Sequence, residues 1–240
     1  MLTTAYQTEP LLERFLLKIP NYITKVLLVW DDPDKAQIER ISNLKINNLI
    51  IKARSKKMGV GAAIMEGINY ALVNEYNILV TLAGNGKDDP TESNLFIDKV
   101  LEGYDYVQGS RWIDQGISEN LPKIRYLIVK SLALIWSIVL RKRITEVTNG
   151  YRGYNVNIFR NEKLFWNIKN FMGYELEYYL NYAIIREGFK HTEVGVSKKY
   201  KKNVTHSKIK LKHAFQILAP IFKMPILHSI YVRQLQSSRR

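Results

Sequence analysis

Asn77 to Pro90 reads NILVTLAGNGKDDP. A mostly apolar run, Asn77 to Leu82, stops abruptly in glycine, lysine and two aspartates, and Asp89-Pro90-Thr91-Glu92 then offers an N-cap, a proline at the first helical position and a glutamate three residues after the cap. A short apolar run bounded by turn signals is the pattern of a buried strand, so the stretch reads as a strand handing over to a helix. The same pattern repeats on either side. Strands are predicted at Leu2 to Ala5, Lys25 to Trp30, Asn48 to Lys52 and Tyr104 to Gln108, with helices near 8–19, 34–44, 60–74 and 90–102. Strands at this spacing with helices between them imply βαβ crossovers, hence an α/β fold with a mostly parallel sheet flanked by helices. Ligands in such folds bind beyond the carboxyl ends of the strands. Ala5-Tyr6, Asp31-Asp32, the region around Arg54 and Thr81 to Pro90 are thereby expected on one edge.

Composition narrows the function classes. A chain of 240 residues with 46% hydrophobic content can bury a large core. It has no cysteine, which excludes disulfides and thiolate metal sites. His191, His206, His213 and His228 lack the close spacing of zinc sites. No signal-peptide pattern opens the chain and no apolar run is long enough to span a bilayer, so a cytoplasmic protein is expected. The formal net charge is +14, yet it is concentrated: from Val194 to Arg240 there is no acidic residue. Such polarity calls for an anionic partner, whether nucleic acid, a sugar nucleotide or lipid phosphate, or an acidic membrane surface. No nucleic-acid recognition motif accompanies the charge, and nucleic acid is not the expected partner.

Three further segments matter. Met58-Gly59-Val60-Gly61-Ala62-Ala63 opens a helix with two glycines, either for tight packing or to present amides to a phosphate, and packing is the preferred reading. Leu121 to Arg141 carries Lys123, Lys130 and Ser137 as one narrow polar stripe on an otherwise apolar helix. Its apolar part, Tyr126 to Leu140, is about 22 Å long, too short to cross a core of roughly 30 Å; it suits either an interfacial helix or a core or dimer helix. Beyond it, Gly150 to Phe159 and Phe189 to Tyr200 read as strands and Tyr174 to Glu187 as a helix. Ile209 to Tyr231 reads as a basic amphipathic helix that Pro220 and Pro225 break into pieces.

In this order the landmarks resemble the family 2 glycosyltransferases of the GT-A fold, especially the dolichol-phosphate mannosyltransferase group and its bacterial polyprenyl-phosphate relatives. The likeness rests on Thr4-Ala5-Tyr6-Gln7-Thr8-Glu9, Val29-Trp30-Asp31-Asp32, Gly59-Val60-Gly61-Ala62-Ala63 with Gly67-Ile68 and Ala71, Gln108-Gly109-Ser110-Arg111, and Thr148-Asn149-Gly150-Tyr151-Arg152. The resemblance implies an inverting transferase that moves a sugar from a nucleotide-sugar to a polyprenyl phosphate at the inner membrane face. It implies a GT-A domain over 1–200, including the interfacial helix, and a basic C-terminal segment over 201–240 whose amphipathic helix faces the membrane. Ala5, Tyr6, Glu9, Asp31, Asp32 and Gly59 would line the donor nucleotide, unless Asp31 or Asp32 only caps the helix beginning near Asp34. Arg111, Arg125 and Arg152 match arginines near the diphosphate or the lipid phosphate, where guanidinium binds phosphate bidentately. Glu175 matches a position near the acceptor, or is an ordinary helix-surface residue. Lys202 and Lys208, in a segment that lacks the family's glycine, would hold the acceptor phosphate.

The chain departs from the family where it matters most. Aligned on Pro90, the usual Asp-x-Asp and glutamine positions hold Ala83, Asn85 and Lys87. Mg²⁺ and Mn²⁺ favour carboxylate oxygens, so conventional metal binding is expected to be poor. Two alternatives follow: Lys87 partly replaces the metal, with Asn85 donating a hydrogen bond, or a metal is kept through Asp88 and Asn85. Asn85, Lys87, Asp88 and Arg111 are the candidate catalytic residues. The opening motif also has Thr4 for proline, Asp32 is followed by Pro33-Asp34, and Glu146 stands for an aspartate. A saccharide or glycan-lipid acceptor, or a degenerate binding or scaffold protein, are the competing readings.

Overall fold

Apolar runs of this kind become central strands because both faces of each strand are covered. The computed structural model describes residues 1–8, 11–46, 48–164, 171–200 and 211–238, the side chains of 211–222 excepted. In chain order the elements are β1 (Leu2–Ala5), α1 (Leu11–Leu16), β2 (Val26–Asp31), α2 (Lys35–Ser42), β3 (Leu49–Arg54), α3 (Val60–Val73) and β4 (Ile78–Ala83). A 3₁₀ turn, Pro90–Glu92, leads into α4 (Ser93–Leu101), β5 (Tyr106–Ser110), β6 (Ile117–Glu119) and α5 (Lys123–Leu140). Then follow β7 (Arg152–Asn155), α6 (Glu175–Arg186), β8 (His191–Gly195), β9 (Ser197–Lys199) and α7 (Leu211–Ser237).

The main sheet has seven strands in the order β3-β2-β1-β4-β7-β5-β8, and β7 alone runs antiparallel to its neighbours. The stretch predicted as a strand over Gly150 to Phe159 is therefore shorter than expected, with Val156–Arg160 turning into 3₁₀ helix. Side chains alternate along β2: Val26, Leu28 and Trp30 enter the core beneath α1 and α4, while Leu27 and Val29 enter the core shared with α3, α5 and α6. Strand order reverses at β1, whose Thr4 pairs with Ala83 of β4, the kind of switch point beside which ligands bind in open α/β sheets. A second, two-stranded sheet of β6 and β9 lies beyond that edge.

The helix α5 has two apolar faces. Val129, Leu132, Ala133, Trp136 and Leu140 are buried, whereas Ile124, Leu127, Leu134 and Ile138 on the opposite side are 63–71% exposed. The predicted polar stripe lies between them: Lys130 sits over the Trp112 ring and the Ser137 hydroxyl bonds Ala133 O and Ile144 O. Another expectation is corrected at the C-terminus, where α7 is one continuous helix through Pro220 and Pro225. Each proline deletes one backbone donor, and continuity requires the remaining ladder and tertiary contacts to offset that loss. Its later part is held by His228, whose Nε2 lies 2.8 Å from Glu187 Oε1 and whose Nδ1 lies 3.2 Å from the Tyr179 hydroxyl. No helix among the described residues is long and apolar enough to cross a membrane.

Candidate functional site

Parallel strands deliver Ala5, Asp31, Arg54, Ala83 and Ser110 to one edge, as their polarity dictates. Asp31 is 4% exposed there, and its carboxylate is already engaged. One oxygen accepts from Arg54 Nε at 2.5 Å and the other from the amides of Met58 and Gly59, both at 3.0 Å. Asp31 thus locks the loop before α3, whereas Asp32 is exposed at the end of β2 with φ 54°. Neither aspartate caps α2: Asp34 does, in a reciprocal box with Gln37.

The glycine loop is also turned inward. Gly61 and Ala62 donate their amides to Met172 O at 2.9 and 3.2 Å. A Cβ on Gly59 or Gly61 would collide with the backbone of 171–173, and Gly59 has φ 98°. The first amides of α3 therefore close on the protein, and Gly59 serves packing where a nucleotide contact was expected. Tyr6 stands at the edge with the Lys57 ammonium 4.5 Å from its ring centre, and Ala5 is buried beside it.

Two of the three motif arginines are buried braces. Arg152, 1% exposed, donates Nε to Asn149 O at 3.0 Å, Nη2 to Val147 O at 2.9 Å and Nη1 to Glu177 O. Arg111, 3% exposed, binds Glu146 through Nε and Nη2, Thr148 Oγ1 through Nη2, and the Tyr200 hydroxyl through Nη1 at 2.8 Å. All nitrogens of both guanidinium groups are committed to protein acceptors, which corrects their assignment to phosphate. Glu146 is fixed in turn, since its other oxygen accepts from the amides of Val147 and Thr148.

Arg125, on the first turns of α5, is the exception. Its guanidinium lies 5.3 Å from the Tyr200 ring centre, and the Lys87 ammonium lies 5.4 Å from the same ring. Lys87 is partly buried: desolvation lowers its pKa, Arg125 and Lys198 lower it further, and Asp88 opposes them. Asn85 accepts the Lys87 amide at 3.1 Å, an Asx turn, so its carboxamide oxygen is in use. Asp88, 4% exposed, has both oxygens on Lys198 Nζ at 2.6 and 2.8 Å, and the same ammonium reaches Asn149 Oδ1 at 2.9 Å. Asp89 caps the 3₁₀ turn by accepting from Thr91 N at 3.0 Å. Glu92 does not close the expected box; it accepts the Ser197 amide and ties α4 to β9.

Glu175 opens α6 with one carboxylate oxygen buried and without a hydrogen-bond partner. Glu177, two residues on, lies against Gly150, and burial raises its pKa although Arg152 and Lys198 oppose the rise. Glu9, Lys202 and Lys208 lie outside the described residues. Lys198 and Tyr200 carry the geometry of the site, yet the motifs did not single them out. Nothing local separates Lys198 from Lys199; the pairing of β9 with β6 and the bridge to Asp88 leave the Lys198 side chain 11% exposed and that of Lys199 61%.

No family model matches the chain. It is 29% identical over 175 residues to a polyprenol monophosphomannose synthase of Mycolicibacterium smegmatis, a match covering 71% of this chain and 65% of that protein. It is 31% identical over 107 residues to an undecaprenyl-phosphate mannosyltransferase of Micrococcus luteus, covering 45% of this chain and 44% of that one. The matches span less than two thirds of the length of either relative. Among solved structures, glucosyl-3-phosphoglycerate synthase from Mycobacterium tuberculosis, in complex with Mn²⁺, UDP and glucosyl-3-phosphoglycerate, superposes with a TM-score of 0.60 at 12% identity, over 93% of this chain and 78% of that one. The chain has the GT-A fold, and its sequence is similar to polyprenyl-phosphate glycosyltransferases, as the motifs implied.

Proposed function

We propose that this GT-A-fold chain is an inverting glycosyltransferase that moves a sugar from a nucleotide-sugar donor to a polyprenyl phosphate at an acidic membrane surface. The observation that carries the reading is the double character of α5. Arg125 on that helix joins the cationic edge beside Lys87, while Ile124, Leu127, Leu134 and Ile138 form an exposed apolar stripe along its far side. An acceptor with an anionic head and a long apolar tail matches both halves of that arrangement; a soluble saccharide matches only one. Exposed Ile226 and Ile230 on α7, flanked by Lys223 and Arg233, extend the apolar and basic character. A basic residue near an acidic membrane adds about 1 kcal/mol of attraction.

The reaction asks little of acid–base groups. An ionised oxygen of the acceptor phosphate forms the bond to the anomeric carbon as the bond from that carbon to the donor's diphosphate oxygen breaks, and the nucleoside diphosphate leaves with the electron pair. The nucleophile is already anionic at neutral pH, so positioning and charge stabilisation carry the rate, and no general base is assigned. In this reading Asp32 accepts hydrogen bonds from the nucleoside, and Glu175 serves the acceptor.

The test is incubation of the full chain with radiolabelled nucleotide-sugars and anionic liposomes containing a polyprenyl phosphate. Label is expected in the organic extract. Transfer to soluble sugars alone would reject the lipid acceptor, and absence of nucleotide-sugar binding by calorimetry would reject the transferase.

A further inference from the structure

We propose that Lys87, Arg125 and Lys198, gathered around Asp88 and the ring of Tyr200, form a built-in cationic seat that takes the diphosphate of a nucleotide-sugar without a divalent cation. The inference rests on the nucleotide-sugar reading above.

The donor set does not fit a metal. Even where a diphosphate and water supply most of its oxygens, a hard divalent ion takes one or two carboxylates from the protein. Ala83 offers none, the carboxamide oxygen of Asn85 accepts the Lys87 amide, and Lys87 brings a positive charge. Asp88 supplies a carboxylate, but both of its oxygens are held by Lys198. No group of three His, Asp or Glu able to hold a metal occurs among the described residues.

The charge, in contrast, fits a diphosphate. Three cations against the Asp88 carboxylate leave two uncompensated positive charges, those of Lys87 and Arg125, which form none of the ion pairs among the described residues. Each phosphorus of a sugar-linked diphosphate keeps one ionised oxygen, so the seat matches the charge that a divalent ion would supply. Asp88 is an anchor: it fixes Lys198 across a chain separation of 110 residues.

The seat is also rigid. Tyr200, 3% exposed, is its aromatic floor, and cations are attracted to such a ring face. Arg111 grips the Tyr200 hydroxyl and Glu146 grips Arg111. Arg111 is thus a positioning residue for the seat. Hydrogen bonds pin the Lys87 backbone on both sides, since its carbonyl accepts the Lys199 amide at 2.8 Å and its amide donates to Asn85 Oδ1. Donors fixed before the ligand arrives need no reorganisation to stabilise developing charge.

Calorimetry of the full chain with UDP and GDP, in excess EDTA and then with Mn²⁺, tests this. At least one diphosphate is expected to bind in EDTA with a Kd within about threefold of its Mn²⁺ value, Lys87→Ala to weaken that binding at least ~10-fold, and Lys87→Arg to recover most of it. Thermal melts of both variants, expected to match the parent, separate loss of binding from loss of fold. Binding seen only with Mn²⁺, or undiminished binding by Lys87→Ala in EDTA, overturns the cationic seat while leaving the donor reading standing. No binding of either diphosphate under either condition overturns both.

Discussion

Replacing Lys198 with methionine should be among the most damaging single changes at the site. It leaves the Asp88 carboxylate, with a side chain 1% exposed, without its cation. With N–O separations of 2.6 and 2.8 Å, an effective dielectric of ~20 puts the attraction at about 6 kcal/mol. Desolvation of the two groups takes back much of that, and removing one partner of such a buried pair costs about 3–5 kcal/mol. The expected loss is therefore about 3–5 kcal/mol in urea unfolding at neutral pH, read as a fall in midpoint at unchanged slope. Asp88→Asn with Lys198→Met should recover part of it, giving a coupling of at least about 2 kcal/mol in the double-mutant cycle. A loss below about 1 kcal/mol, or coupling near zero, would refute the claim that Lys198 occupies Asp88.

Three other outcomes are expected. Leu127→Gln with Ile138→Gln should leave the thermal melt unchanged and abolish flotation with anionic phosphatidylglycerol vesicles, since both side chains are exposed on α5. Gly61→Ala should lower the melting temperature by roughly 5–15 °C, because a methyl there meets the backbone carbonyl of Phe171 rather than a side chain that can move. Burial pushes the Glu187 carboxyl up, but hydrogen bonds from Lys163 and His228 outweigh it and hold the pKa below its ordinary 4.5. A depressed carboxylate stabilises above the unfolded-state value and loses that contribution as pH falls through the folded one. The difference in melting temperature between the parent and Glu187→Gln should thus persist above pH 4.5 and shrink below it, with hydrogen exchange in 223–238 rising in the same window.

The alternation of buried strands and helices was legible because it depends on neighbours in the chain. Apolar runs such as Val26 to Trp30 need cover on both faces, Asp89-Pro90 starts a helical turn by local hydrogen bonding, and the loss of carboxylates at Ala83, Asn85 and Lys87 is visible by inspection. The antiparallel insertion of β7 between β4 and β5 was not legible, since strand direction is set by what lies alongside. The same holds for side-chain tasks. Arg111 and Arg152 resemble phosphate ligands by motif, but partners 35 residues from Arg111 and 25 residues from Arg152 turn them inward. Composition alone shows a basic C-terminal region; that Lys198 is the lysine paired with Asp88, while Lys87 and Arg125 lie over Tyr200 outside the ion pairs of the described residues, depends on contacts that exist only when β9 closes against the loop after β4. Local sequence determines backbone conformation through short-range sterics and hydrogen bonds, whereas the work of a charge depends on which opposite charge the tertiary fold brings within a few ångströms of it.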